Sequence, residues 1–194
     1  MHDCFLLAWG ILAGIKILEK RMITPALIRE IRHGYQLPWR GLHGIVHWAR
    51  VLENGLRLAA STGAAREVVA LFAVFHDARR LNEDHDPNHG RRGAELAAAL
   101  RGKVFDLGDR EFELLCTACL YHTDGLTEGD ATVQTCWDAD RLDLGRVGIR
   151  PQPRYLCTSA AKQADVIAWA YERSTSGHEP GVTADWDGPW ASAS

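Results

Sequence analysis

Apolar residues in the first long patterned stretch of the chain recur at helical spacing. Between residues 42 and 60 they fall every three or four positions, at Ile45, Val46, Ala49, Leu52, Leu56 and Ala59. This spacing places them on one side of an α-helix, whereas a half-buried strand would alternate. Residues 64–77 contain the run VVALFAVF, which is apolar all round and therefore predicts a helix surrounded by other elements. A buried strand is the alternative there, and the length and the alanines favour the helix.

The rest of the central region also predicts helices. Thr24 and Pro25 form a typical helix beginning, with a capping hydroxyl before a proline in the first turn. Similar patterns and caps predict helices over residues 89–100, 109–122, 131–144 and 158–173. No segment alternates as a strand would, and no internal repeat occurs. The sequence therefore predicts an all-α fold, a single-domain helical bundle over residues 22–173.

The two ends of the chain differ from this central region. Residues 1–21 are predicted to be an N-terminal extension, upstream of a start at Met22, or an extra helix. Their apolar run CFLLAWGILAG has eleven residues, short of the roughly 20 that cross a bilayer. Residues 174–194 are rich in turn formers and are predicted to be an irregular tail. Trp186 and Trp190 suggest that part of this tail docks on the domain.

Charge and cysteine content restrict the partners and the setting. The net charge is −3, and the 22 lysines and arginines are scattered rather than gathered in a stripe, which argues against nucleic acid or a membrane as the main partner. A compact anionic ligand remains compatible. The five cysteines are an odd number in a chain too large for a disulfide scaffold, which favours a reducing, cytoplasmic setting. Cys116 and Cys119 form a CxxC motif that we interpret as small residues on a buried helix face.

Charged and metal-ligating side chains cluster where the predicted helices begin or end. In HGIVHWARV, His43 and His47 lie one helical turn apart. In AVFHDARRLN, an apolar helix runs directly into the adjacent pair His76 and Asp77. Burying an unpaired carboxylate costs several kcal/mol, so a compensating partner for Asp77 is expected. A third stretch, WDADRLDLGRVG, is also crowded with charged residues.

These three stretches, in this order, resemble the signature of the HD-domain metalloenzymes. That signature is a histidine, an adjacent His-Asp pair and a distant aspartate, which together bind a divalent metal. The resemblance covers roughly residues 41–148 and implies four metal ligands from different helices: His47, His76, Asp77 and Asp140. Asp140 is chosen because ADRL resembles the family's alanine-aspartate-arginine-leucine stretch, and Asp138 is the nearest alternative.

Two further histidines extend the resemblance. His89 in HGRRGAE and His122 in LYHTDG look like family histidines that bind a second metal in some members and that contact substrate phosphate or protonate a leaving group in others. The expected cofactor is thus one divalent ion or two per chain. Nitrogen and carboxylate ligands favour Mn, Fe, Co, Ni or Zn over calcium. Mg is also a candidate, and the sequence does not select one of these metals.

The residues near the proposed ligands suggest a phosphorylated substrate. Many family members follow the His-Asp pair with a small residue, a glycine and a lysine, where this chain has Ala78, Arg79 and Arg80. Because arginine can bind phosphate through two parallel hydrogen bonds, both arginines are expected to contact substrate phosphate.

Four other charged residues receive supporting roles. His43 is expected to donate to Asp140 or to orient His47, with a surface cap as the alternative. If Asp138 is not itself a metal ligand, it is expected to contact and orient the ligands without binding the metal. Arg141 and Asp143 are assigned to a structural ion pair.

The function that the resemblance implies is a metal-dependent phosphohydrolase. Its substrate would be a small phosphorylated compound, a nucleotide foremost, attacked by water that the metal activates. Asp77 would bind metal and also orient or deprotonate this water. Two alternatives remain open: a di-iron oxygenase of the same family, and a non-catalytic nucleotide-sensing module that the metal stabilises. The sequence predicts neither the physiological substrate nor the oligomeric state.

Overall fold

The chain is described by a computed structural model, which covers residues 22–188. Within this range it forms eight α-helices: α1 Pro25–His33, α2 Ile45–Thr62, α3 Arg66–Phe75, α4 His89–Leu100, α5 Asp109–Tyr121, α6 Ala131–Arg141, α7 Ala164–Thr175 and α8 Val182–Asp187. Two short 3-10 helices, Leu144–Val147 and Pro153–Tyr155, lie between α6 and α7. No strand occurs among these residues, which confirms the prediction of an all-α domain. None of the helices within residues 22–188 has the length and apolar character needed to cross a membrane.

Helix α3 lies at the centre of the bundle. All of its residues from Val68 to Phe75 are buried, and it packs against α2, α4, α5 and α6. The predicted central helix is therefore confirmed. Because α3 has neighbours on every side, its C-terminal end delivers His76 and Asp77 into the interior rather than to the surface. Burial of this apolar helix, at about 25 cal/mol per Å² of apolar surface, is what holds the His-Asp pair away from water.

The helix boundaries follow local capping, with one correction. Thr24 Oγ1 accepts a hydrogen bond from Leu27 N at 3.2 Å at the beginning of α1. The last long helix was predicted to begin at Thr158, and instead begins at Ala164. Thr158 caps a separate turn, where its hydroxyl oxygen accepts from Ala161 N at 3.1 Å.

The C-terminal segment is docked on the domain. Trp186 is 2% exposed and belongs to the main core, which confirms that part of the tail docks. The prediction that this tail is irregular was wrong for Val182–Asp187, which form α8 against α1 and α2. The guanidinium of Arg40 contacts the carboxylate of Glu179, which precedes α8, and that of Asp187, which ends it. Trp190 and the predicted extension or helix at residues 1–21 lie outside the described residues.

The cysteines of the described residues carry free thiols. Cys116, Cys119, Cys136 and Cys157 form no disulfide. Cys119 is fully buried in the core and Cys116 is half-buried on the same helix. Burial raises the pKa of both thiols, so they remain protonated at neutral pH. The CxxC motif is thus part of a packed helix face, as the sequence indicated.

The close approach of α4 to the end of α3 depends on Gly93. A Cβ atom added there would lie nearer than 3.0 Å to the carbonyl oxygen of Phe75. We expect Gly93→Ala to lower the free energy of unfolding by about 1–3 kcal/mol, although alanine is the better helix former. Urea unfolding of both proteins measures this difference. Arg91→Ala, an exposed change on the same helix, is the control and should stay within about 0.5 kcal/mol. A Gly93→Ala protein as stable as its parent would contradict the close α3–α4 contact.

Candidate metal centre

The ends of five helices bring six ionisable side chains to one place. His47 lies in the first turn of α2, His76 and Asp77 follow α3, His89 begins α4, His122 follows α5, and Asp140 lies in the last turn of α6. The four histidines and Asp77 are all buried, while the side chain of Asp140 is 15% exposed. The six residues that the family resemblance selected as ligands are therefore neighbours, although they are spread over almost 100 positions of the chain.

Asp77 lies between two pairs of histidines, with one carboxylate oxygen facing each pair. Its Oδ2 is 3.7 Å from His47 Nε2 and 3.6 Å from His76 Nε2. Its Oδ1 is 3.2 Å from His89 Nε2 and 3.7 Å from His122 Nε2. Each half of this arrangement has donor atoms close enough together to hold a metal ion. A single carboxylate thus connects two candidate positions.

Asp140 completes one of these halves. Its Oδ1 lies 3.4 Å from His47 Nε2 and 3.9 Å from His76 Nε2. We call His47, His76, Asp77 and Asp140 the first group. Asp77, His89 and His122 form the second group, which has one carboxylate fewer.

All four histidines are oriented by a bond at the other ring nitrogen. Each Nδ1 faces an oxygen that can only accept: Asp143 Oδ2 for His47 at 2.7 Å, Phe72 O for His76 at 3.1 Å, Asp86 O for His89, and Cys119 O for His122 at 2.7 Å. The proton of each neutral ring must then lie on Nδ1, which leaves an unprotonated Nε2. Consequently all four lone pairs point toward Asp77, which is the arrangement that metal coordination requires.

The ring nitrogens of each pair lie close enough together to bind one cation. His47 Nε2 and His76 Nε2 are 3.1 Å apart, and His89 Nε2 and His122 Nε2 are 2.8 Å apart. Two lone pairs at such distances repel each other unless a positive charge lies between them. In the second pair a proton on His122 can supply that charge, because, against the effect of burial, the contact with Asp77 raises the pKa of His122. In addition, Asp77 Oδ1 is buried and has no hydrogen-bond partner, and a buried ionised oxygen needs compensation. The donor set, imidazole nitrogen with carboxylate oxygen and no thiolate, fits Mn, Fe, Co, Ni or Zn.

Burial favours the neutral form of three of the four histidines. It lowers the pKa of His47 and His76, and it lowers the pKa of His89 to about 4. Burial would raise the pKa of Asp77, but the imidazoles of His76, His122 and His47 more than offset this and hold that pKa well below its usual range. At neutral pH the first group therefore offers unprotonated nitrogens and an ionised carboxylate. At His122, burial is outweighed by the contact with the Asp77 carboxylate, which raises the pKa, so a metal in the second group would have to displace a proton there.

Of the two predicted phosphate-binding arginines, only Arg80 lies beside the cluster. Its guanidinium is buried, with Nη1 3.6 Å from Asp77 Oδ1 and 3.3 Å from His89 Nε2. Arg79 points away, and its Nη1 donates to the carbonyl of Ile31 at 2.8 Å, in the last turn of α1. Arginine commonly binds the free carbonyls at a helix C-terminus. The structure therefore contradicts a phosphate contact for Arg79 and leaves Arg80 as the available arginine.

His43 does not support the ligands in the predicted way. Its Nδ1 contacts the carboxylate of Glu83 rather than Asp140 or His47. The backbone carbonyl of His43 accepts a hydrogen bond from the Tyr35 hydroxyl at 2.9 Å. His43 thus joins the loop before α2 to the loop after α3, both of which border the cluster.

Asp138 is buried but faces away from the histidines. Its Oδ1 accepts from Cys157 N at 2.6 Å, and its Oδ2 accepts from the backbone N and the hydroxyl of Thr158, both at 2.8 Å. Two residues correspond to about 200° of helix rotation, so Asp138 and Asp140 leave α6 on opposite sides. The structure therefore brings Asp140 to the cluster, and Asp138 neither reaches it nor supports it.

Asp143 is the site residue that the sequence reasoning missed. The ion pair predicted between Arg141 and Asp143 is wrong, because Arg141 donates to the carbonyls of Tyr155 and Leu126 instead. Asp143 accepts from His47 Nδ1 and from Arg50, whose Nε lies 2.6 Å from Oδ1. One signal was present in the sequence: His47 and Arg50 are three positions apart, so they share a helix face and could share an acidic partner.

No protein-family model, curated protein or solved structure matches this chain. The fold and the site alone define its class. Residues 22–188 form an all-α domain with a buried histidine and aspartate centre, in which two groups of side chains could each hold a metal ion.

Proposed function

We propose that this chain is a metal-dependent phosphohydrolase of the HD type, which acts on a small phosphorylated compound, a nucleotide foremost. The observation that carries the proposal is the position of Asp77 between two histidine pairs, with Asp140 completing one group and Arg80 beside the other. The proposal is also supported by the agreement between this arrangement and the order of residues in the HD signature.

The residues divide into two sets of ligands. His47, His76, Asp140 and Oδ2 of Asp77 would hold one ion, and His89, His122 and Oδ1 of Asp77 would hold a second. Bound divalent ions of this kind lower the pKa of water and polarise a phosphoryl oxygen. The histidines contribute nitrogen donors whose rings are fixed at Nδ1, so little rearrangement is needed when an ion or substrate arrives.

The carboxylates would handle the attacking water. Asp77 is ionised at neutral pH because its pKa is held low, so it can accept a hydrogen bond from this water and orient it. The side chain of Asp140 is 15% exposed, against 3% for that of Asp77. Asp140 is thus the more accessible oxygen donor, and it can accept a water proton at the open side of the centre.

Arg80 supports an anionic substrate. Its Nη2 donates to Asp84 O at 2.6 Å and its Nε to Asn82 O at 3.3 Å, so the guanidinium is held before substrate binds. Its Nη1 remains directed at Asp77 and His89, where the phosphate of a substrate would lie. A preoriented guanidinium stabilises negative charge without an ordering cost at each turnover.

The test is hydrolysis of a panel of nucleotides and other phosphoesters by protein loaded in turn with Mn, Co, Ni, Mg and Zn. We expect phosphate or nucleoside release that chelation abolishes and that Asp140→Ala reduces strongly. Absence of release across the panel by metal-loaded protein would overturn the proposal. If nucleotides raised the melting temperature without any turnover, the chain would instead be a nucleotide-sensing module.

The second group favours one other candidate, a di-iron oxygenase. This reaction requires two adjacent iron positions, and both His89 and His122 lie within 4 Å of Asp77 Oδ1, at 3.2 and 3.7 Å. Iron content near two per chain, together with substrate-dependent oxygen consumption and no phosphate release, would favour it over hydrolysis.

A further inference from the structure

His47 differs from the other three histidines in what holds its ring. The Nδ1 atoms of His76, His89 and His122 face backbone carbonyls, whose positions are fixed by the fold. The Nδ1 of His47 faces the side chain of Asp143, 2.7 Å away. One replaceable side chain therefore orients one of the four imidazoles.

Asp143 is itself held firmly in a buried position. Arg50 contacts both of its oxygens, with Nε 2.6 Å from Oδ1 and Nη2 3.1 Å from Oδ2. The remaining donor, Arg50 Nη1, binds the carbonyl of His178 at 3.1 Å. Arg146 lies nearby, with Nη1 3.9 Å from Asp143 Oδ2. Oxygen Oδ2 thus serves His47 and Arg50 together, in a place that water does not reach.

We propose that Asp143, braced by Arg50, is a positioning residue that holds His47 with its unprotonated Nε2 directed at the first group. This role rests on the proposed metal centre and concerns the first group alone, because His89 and His122 are anchored independently. A carboxylate on the far nitrogen fixes the tautomer and increases the electron-donating strength of the ring.

The negative charge of Asp143 gives its positioning role a consequence that can be tested. Asp143→Asn removes one negative charge and leaves the cations of Arg50 and Arg146 near the proposed site of a divalent cation. The amide also has a single oxygen for the donors that a carboxylate satisfied with two. Arg50→Met has the opposite electrostatic effect, because it removes a cation and leaves the carboxylate of Asp143 in contact with His47. The two single changes therefore act differently on metal binding, although each disrupts the same ion pair.

The experiment titrates metal-free, full-length protein with Mn²⁺ and Zn²⁺ in competition with a chelator, and records thermal unfolding of the same samples. The variants are Asp143→Asn, Arg50→Met and the double change, which removes both buried charges and so avoids an unpaired ion. Glu53→Gln is the matched control. Glu53 lies one turn from Arg50 on α2 and contacts Arg173 and His178 rather than the cluster.

We expect Asp143→Asn to weaken one of two binding steps by roughly 10–100-fold and to leave the other nearly unchanged. Arg50→Met should lower the melting temperature while both affinities persist, and the double variant should remain weaker than the parent in the step that Asp143→Asn weakens, because it also lacks the carboxylate at His47. At saturating Zn²⁺, long-range ¹H–¹⁵N spectra should show His47, His76, His89 and His122 protonated at Nδ1 in the parent, with the His47 ring altered by Asp143→Asn.

Equal losses of affinity in Asp143→Asn and Arg50→Met, in proportion to their losses of stability, would overturn the positioning role and make Asp143 a structural residue. Parent protein that binds neither metal would overturn the metal centre itself. Because every readout is metal binding, stability or a histidine spectrum, a failure to find hydrolysis leaves this test intact.

Discussion

Replacing Asp77 by asparagine is expected to remove metal from both groups at once. Its two oxygens face different histidine pairs, and an amide offers one oxygen without charge. Metal affinity and any hydrolysis should both fall by more than the roughly 100-fold that can follow removal of a residue which only orients a metal ligand. Elemental analysis after purification without chelator, followed by phosphate-release assays, measures both effects.

Asp138→Asn is the matched control for this prediction. Asp138 is also a buried aspartate, but its oxygens bind Cys157 and Thr158. We expect this variant to keep its metal and to lose only stability, because a charged acceptor of three hydrogen bonds is replaced by a weaker one. An Asp77→Asn protein with the metal content of its parent would show that Asp77 does not connect the two groups.

His122→Gln is expected to remove one ion and to retain the other. His122 reaches only the second group, where its Nε2 is 2.8 Å from that of His89 and 3.7 Å from Asp77 Oδ1. The first group keeps all of its donors, so the metal content should fall from two per chain to one. If the reaction needs both ions, hydrolysis should also fall by at least roughly 100-fold.

His33→Gln controls for the loss of a histidine elsewhere. His33 is exposed at the end of α1, and its replacement should change neither metal content nor activity. A His122→Gln protein that still holds two ions would contradict the second group. If the parent binds a single ion and His122→Gln also binds it, the role of His122 would instead be substrate contact or proton transfer.

The helical architecture could be predicted because its signals are local. The apolar spacing along α2, the all-apolar run of α3 and the Thr24 cap of α1 each report their structure within one or two turns of chain. The segment after Asp138 could not be predicted in this way. Thr158 looks like a helix cap from its neighbours, but it is bound to Asp138, 20 positions away.

The candidate site shows the same division. His76 and Asp77 stood out because a charged pair directly after a buried helix needs compensation. The choice of Asp140 over Asp138 depended on the ADRL resemblance alone, and the choice between Arg79 and Arg80 was beyond the sequence, since the members of each pair have the same chemistry. Which member faces the cluster depends on how α3 and α6 are rotated against their neighbours.

By itself, the sequence determined an all-α domain, the chemistry of the donors and the helix ends on which they lie, because periodicity and residue type are properties of short segments. The tertiary structure alone decided that Asp77 lies between two histidine pairs, that Asp143 rather than Asp138 contacts His47, and that Arg79 points away. Such choices depend on distances between residues far apart in the chain, and only the packing of whole helices against one another sets those distances.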